Sequence, residues 1–472
     1  MEKAERSISY KWMAMSVVCM GVFLSTFDMG AVRIALPYLE QVFQTSADTV
    51  VWVSLIWLLI GSSFMLTLGR VGDAFGRNRL YTLGFVILSL GLGLCSLAQS
   101  IIQLIIFRLI QALGGAITIA LGNAIITSAF PSRERGKALG ITLAVAGLGQ
   151  MIGPVLGGFF LDLLGWRSIF YLRLPFGIIG AIMAWVLLKD QSYLKRGGKF
   201  DLLGAITLFL AITCLILALK QGQSLGWLSP WVIGLSVIGV VLLCFFLVTE
   251  QRAAQPILDL RLFRSRLFSA ASASHIFLYI STAVINFFMP FYLVQGLAFN
   301  ASKTGLLLVI IPIISLMMAP LSGRLSDKLG TLFLCTSGLA LVSVGLLLLS
   351  NLGINASIGD IVLYLAILGV GMGLFLSPNT SAILGSVPSE RLGIASAMVG
   401  TLRHLGMSVG LAVTSSIFTA SQLSHATRLT SQGLLQDVAK KLSTVSGFQD
   451  AIFISLIISV IGLLASVLRG KT

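Results

Sequence analysis

The sequence predicts an all-α integral membrane protein with fourteen transmembrane helices. Three observations predict it. Of 472 residues, 57% are hydrophobic and only 10% are charged, whereas a soluble domain carries about 25% charged residues. Apolar runs of the roughly 20 residues that a spanning helix needs recur along the whole chain. Basic residues between those runs alternate in density from one loop to the next.

The runs fall at 12–37, 49–69, 80–98, 101–124, 136–161, 166–188, 202–220, 230–249, 267–295, 303–323, 331–350, 359–385, 392–417 and 450–468. The first follows a short basic N-terminus. It is longer than a signal-peptide core and lacks a small-residue cleavage site, so it reads as a retained helix. With the N-terminus inside, cytoplasmic segments hold 22 of the 32 Lys and Arg residues and external loops hold 6. A miscounted helix would invert every later loop and erase that bias, so the count places both termini in the cytoplasm of a multi-pass cell-membrane protein. It also explains the net charge of +15 without a nucleic-acid partner. Residues 418–449 would lie outside, where Leu434, Leu435, Val438, Leu442 and Val445 at helical spacing suggest a short amphipathic helix on the outer membrane surface. The five cysteines are scattered through apolar runs and suggest neither a disulfide framework nor a metal site.

The chain repeats itself. GRVGDAFGRNR at 69–79 and GRLSDKLG at 323–330 each join two apolar runs, aligning Gly69, Asp73 and Gly76 with Gly323, Asp327 and Gly330. Two copies imply two related halves, a common transporter plan. The first copy joins runs 2 and 3 and the second joins runs 10 and 11, so two extra helices must sit between six-helix halves. The expected organisation is a first half at 1–190, a two-helix insert at 191–262 and a second half at 263–472.

This 6 + 2 + 6 plan resembles the major facilitator superfamily, and most closely its fourteen-helix drug:proton antiporter branch. Four motifs spread over most of the chain carry the resemblance. GRVGDAFGRNR resembles the superfamily's signature loop, with Arg77 and Arg79 at its basic positions and Ala74 where a basic residue is usual. The resemblance implies that Asp73 latches the cytoplasmic side by meeting the positive N-terminus of a facing helix near Gly393. In run 5, Gly140, Gly149, Gly153, Pro154, Gly157 and Gly158 spell the family's antiporter pattern. Small residues let helix backbones approach closely, and Pro154 can bend the helix, which suits a flexible seam between halves. Arg108, within RLIQALGGA, resembles the membrane arginine that assists proton transfer; buried charge in lipid is costly and usually functional or paired. FDMGAVRIALP at 27–37 resembles the branch's first-helix signature.

Asp28 is the acidic residue that lies well inside a run. An isolated carboxylate in a dry cavity can carry and exchange a proton as the cavity opens to either side. Arg33 and Arg173 stand where the branch usually has Asn, and would create an anion-favouring outer vestibule, or else snorkel to the outer surface or brace helix 1 against helix 6. Asp28 and Arg33 are five residues apart, roughly 140° around a helix, so they do not share a face. In the second half, Asn286, Arg403 and His404 are further cavity candidates, and RHLGMSVG resembles the family's pattern around Arg403.

The resemblance implies a proton-coupled antiporter exporting amphiphilic small molecules or drugs by alternating access. It would work as a monomer among membrane lipids, with no cofactor beyond the proton gradient. The alternatives are the same fold exporting an anionic amphiphile or lipid, or a non-transporting receptor. The chain has no HExxH, no paired acids within a run, no Ser/His/Asp set and no P-loop lysine, so enzyme and ATP-driven pump are not expected.

Overall fold

The computed structural model describes residues 2–131, 133–188, 202–252, 260–387 and 392–469, and all its regular elements are helical. In chain order they are α1 (Glu2–Val42), α2 (Ala47–Val50), α3 (Trp52–Phe75), α4 (Arg77–Leu97), α5 (Ile101–Ala129), α6 (Arg135–Leu164), α7 (Ser168–Tyr171), α8 (Leu174–Leu187), α9 (Leu202–Leu225), α10 (Pro230–Arg252), α11 (Arg266–Phe291), α12 (Ala301–Leu308), α13 (Ile310–Leu329), α14 (Thr331–Ser350), α15 (Ile358–Gly385), α16 (Leu392–Ser431) and α17 (Gln436–Val467). A π-helical turn, Tyr292–Gly296, extends α11.

Among the described residues, twelve helical stretches are long and apolar enough to cross a membrane. The other two runs, 202–220 and 392–417, are also helical, as α9 and the first part of α16. Within α9 the described apolar stretch is Ile206–Gly222, and α16 carries more polar residues. Large apolar side chains such as Leu90, Val241, Phe333 and Leu464 face outward and are more than half exposed. Lipid, not water, is the solvent that tolerates such a surface.

The repeated motif has a structural counterpart. Gly76 at φ +100° joins α3 to α4, and Gly330 at φ +82° joins α13 to α14. In each turn the glycine N–H donates to the carbonyl four residues back, at Gly72 and at Ser326, both at 3.0 Å. Positive φ at this position is open to glycine and strained for other residues.

Both termini lie at one end of the bundle. Lys11 donates to Glu134 in the α5–α6 turn at 2.6 Å, and Arg266 at the start of α11 donates to the Leu468 carbonyl at 2.8 Å. At the opposite, far end the halves close on each other. Asp162, near the end of α6, accepts from the backbone N–H groups of Ala301 (3.1 Å) and Ser302 (2.8 Å) and from the Ser302 hydroxyl. Gln295 donates to Glu40 at 2.7 Å.

Residues 418–449 do not form a separate surface helix. Residues 418–431 continue α16 and 436–449 begin α17, joined by a turn at Gly433 with φ +83°. Gln422 donates to Thr444 at 2.9 Å between the two. Val445 is buried and Val438 stays exposed. The stripe is thus split: Leu434 and Leu435 fall in the turn before α17, Leu435 staying exposed, and its far end at Val445 packs helix on helix.

Candidate transport site

The site is built on α1, α5 and the α7–α8 break. Asp28, Arg108, Gln111 and Arg173 are each 5% exposed or less. Arg108 Nη1 donates to Asp28 Oδ1 at 2.9 Å and Oδ2 at 2.8 Å. Gln111 Nε2 donates to Asp28 Oδ1 at 2.9 Å, and its Oε1 accepts from Arg108 at 2.8 Å. Arg173 Nη1 pairs with Asp28 Oδ1 and its Nε donates to the Ile169 carbonyl. The Arg108 Nε donates to the Val53 carbonyl at 3.1 Å, and its guanidinium lies 5.1 Å from the centre of the Trp57 ring. One carboxylate thus faces two guanidiniums, and the cluster carries a formal charge of +1.

Local sequence explains the placement. Arg108 and Gln111 are three apart and share one face of α5. Gly114 and Gly115 follow, and a methyl at either would lie 2.3 Å from a neighbouring atom of α4 or α3. These glycines let the three helices close around the charges. Arg173 sits at the break before Pro175, where α8 begins.

Two expectations are corrected here. Asp28 is not isolated but fully engaged. Arg173 does not stand in a vestibule with Arg33, because its guanidinium turns inward to Asp28. Gln111 and Trp57 were missed by sequence reasoning, although the i, i+3 spacing within RLIQALGGA was a legible signal for Gln111.

A cavity of about 260 Å³ lies between the halves. Met29, Arg33 and Pro154 line it from one half; Tyr279, Asn286, Arg403 and Met407 line it from the other. Arg33 donates to Asn286 across the interface and its guanidinium lies 5.0 Å from the Phe287 ring centre. Asn286 is itself fixed by donating to the Thr282 carbonyl at 2.9 Å. A cleft of about 10 Å³, bordered by Met29, Arg33 and Arg108, lies between cavity and cluster. His404 does not line the cavity. It is buried at the α3–α16 contact, where a methyl at Gly61 would lie 2.7 Å from its Nδ1. Its ring faces α3 because the next residue along from Arg403 points about 100° away on a helix.

The glycine pattern of α6 divides its work. A methyl at Gly149, Gly153 or Gly157 would press on Thr26, Phe27 or Ala31, at 2.1, 2.7 and 2.7 Å. These three therefore pack α6 on α1 within one half and are not a seam between halves. Pro154 and Gly158 make the seam: a methyl at Gly305 would lie 2.2 Å from the Pro154 carbonyl oxygen, and one at Gly158 2.3 Å from that of Ala301. Toward the termini the helices part. A methyl at Gly147 would stand 3.6 Å from Leu316, and one at Gly140 would meet nothing within 4 Å.

In the signature loop, Arg77 donates to the Ala124 carbonyl at 3.4 Å. A methyl at Gly69 would meet nothing within 4 Å. Arg79 and Asp327 are exposed. The side chain of Asp73 lies outside the described residues, and with it the expected latch.

Residues 18–411 match the Major Facilitator Superfamily. The chain belongs to that superfamily. It is 33% identical over 411 residues to the riboflavin transporter RibZ of Clostridioides difficile (strain 630), covering 87% of this chain and 89% of that protein. It is 31% identical over 402 residues to the multidrug resistance protein Stp of Mycobacterium tuberculosis (strain CDC 1551 / Oshkosh), covering 85% and 74%. The fold is similar to that of a bacterial homolog to the human lysosomal transporter Spinster in an inward-facing, unoccupied conformation. That likeness has a TM-score of 0.72 at 16% identity, covering 98% of this chain and 97% of that one. This major facilitator chain is a membrane transporter and not an enzyme.

Proposed function

We propose that this chain is a proton-coupled antiporter that exports amphiphilic small molecules by alternating access. The observation that carries the reading is the buried Asp28–Arg108–Arg173 cluster, separated from the cavity between the halves by one small cleft. A cleft of that size has room for about one water; it borders Arg33 and Arg108 but not Asp28, so a proton passes between cavity and carboxylate only when Arg108 shifts. Asp28 can take up a proton when a guanidinium partner withdraws. Breaking a buried pair costs about 3–5 kcal/mol, so protonation and helix movement are coupled in one event. Relatives that include a riboflavin transporter and multidrug resistance proteins fit organic cargo of this size.

In this reading α9 and α16 also span, which gives fourteen helices as halves 1–190 and 263–472 around an insert at 191–262. The loop charges make the end with the termini cytoplasmic. The far end, closed by Asp162 and the Gly158–Ala301 contact, is then external, and the separation of α6 from α13 toward Gly140 opens the cavity inward. The transporter works as a monomer in lipid with the proton gradient as its energy source and no cofactor.

The test is Asp28→Asn in proteoliposomes. Gradient-driven transport of an amphiphilic drug should be lost while exchange without a gradient is retained at least in part. Full gradient-driven transport by this variant would move coupling to another group.

A further inference from the structure

Two guanidiniums face the cavity, Arg33 on α1 and Arg403 on α16, one from each half. No acidic side chain is among its described lining residues. The nearest membrane acid, Asp28, already holds Arg108 and Arg173. Arg33 uses Nη1 on the neutral Asn286 and Arg403 hydrogen-bonds the neutral Tyr279 hydroxyl, while the Nε atoms of Arg33 and Arg403 have no hydrogen-bond partner. Two unbalanced cations in a low-dielectric cavity repel each other strongly. Neither reaches water freely, since both are only partly exposed. A guanidinium offers paired N–H donors matched to a carboxylate or a similar anion. Around them the wall is apolar and aromatic: Met29, Tyr279, Leu376 and Met407 line it, with Phe287 beneath Arg33.

We infer that Arg33 and Arg403 form an anion subsite shared by the two halves, and that the cargo is an aromatic or apolar organic anion whose acidic group bridges them. This deepens the exporter reading and rests on it for the word cargo. The positive pair is thus Arg33 with Arg403, drawn from opposite halves, in place of Arg33 with Arg173. An anion bound here cancels a repulsion between halves, so it favours bringing those two helices together.

Equilibrium binding without any gradient tests the subsite apart from coupling. Fluorescein and rhodamine 123 share a xanthene frame but carry opposite charge at neutral pH. Fluorescence anisotropy with the purified full chain in detergent should give fluorescein at least tenfold tighter than rhodamine 123, with the difference shrinking as salt rises. Arg33→Gln and Arg403→Gln should each weaken fluorescein at least fivefold and leave rhodamine 123 equal or tighter. Arg33→Lys and Arg403→Lys retain charge and should keep most of the affinity, which separates charge from packing. Equal or tighter binding of rhodamine 123 by the folded wild type overturns the subsite. So does wild-type fluorescein affinity in the Gln variants, no fluorescein binding below millimolar concentration, or equal losses in the Lys and Gln variants. Normal fluorescein selectivity with Asp28→Asn still gradient-driven would remove the coupling reading and leave the subsite standing.

Discussion

Asp28 balances one of the two cations it touches. Arg108 makes four hydrogen bonds in the cluster and its neighbourhood, to both Asp28 oxygens, Gln111 and Val53. Arg173 adds the second charge. Removing Arg173 leaves a neutral Asp28–Arg108 pair, whereas removing Arg108 strips the carboxylate of its two-oxygen partner. We expect Arg108→Gln to cost about 3–5 kcal/mol and Arg173→Gln to cost clearly less. Thermal unfolding in detergent, followed by loss of monodisperse protein, gives the order. A lower midpoint for Arg173→Gln than for Arg108→Gln would show that the excess positive charge is needed for the fold.

Within α6, neighbouring small residues serve different partners, so similar substitutions should diverge. A methyl at Gly153 would lie 2.7 Å from the Phe27 carbonyl oxygen in its own half, in a packing that opening and closing of the halves need not break. Gly153→Ala should therefore lower stability and expression. A methyl at Gly158 would meet Ala301 of the other half, and Asp162 holds the α12 N-terminus, where a carboxylate is favoured by the helix dipole. Gly158→Ala and Asp162→Asn should leave each half folded but weaken the closed far end. Each ~1.4 kcal/mol lost shifts the two-state ratio about tenfold toward the form open at that end. The readout is the rate at which a membrane-impermeant maleimide labels a cysteine placed at Thr304, buried in the present state, in an otherwise cysteine-free chain. Unchanged labelling in both variants would mean that the Asp162 contact does not govern opening.

For the whole molecule, the expected topology is testable from one side of a sealed membrane. Fourteen spans with cytoplasmic termini put the Gly226 turn between α9 and α10, and the Gly433 turn between α16 and α17, outside. They put the Gly330 turn inside. α16 has 40 residues, about 60 Å at 1.5 Å per residue, twice the roughly 30 Å of hydrocarbon. On that topology its hairpin with α17 is expected to stand clear of the membrane. Cysteines at Gly226 and Gly433 should react with impermeant maleimide in intact cells, and one at Gly330 only after permeabilisation. Protection of Gly226 with reaction of Gly433 would leave α9 and α10 outside the spanning set.

The sequence by itself determined the helical membrane class, the repeat and its two glycine turns, and the separation of Asp28 from Arg33. These follow from composition, from local φ requirements and from the fixed angle per residue of a helix. It also marked Arg108 as a buried charge, since few arginines occur in apolar runs without a role. Only the tertiary structure decided what each charge faces. Arg173 joins Asp28 because the α7–α8 break aims it inward, and Arg403 joins Arg33 from more than 300 residues away because the halves meet there. Likewise α6 turned three glycines to α1 and one to α12, a division set by helix orientation and invisible in the spacing. Of the apolar stripe after residue 431, Val445 found a helical partner while Leu435 and Val438 stayed exposed. In each case spacing along the chain fixed which residues share a face, and packing between distant segments chose what that face meets.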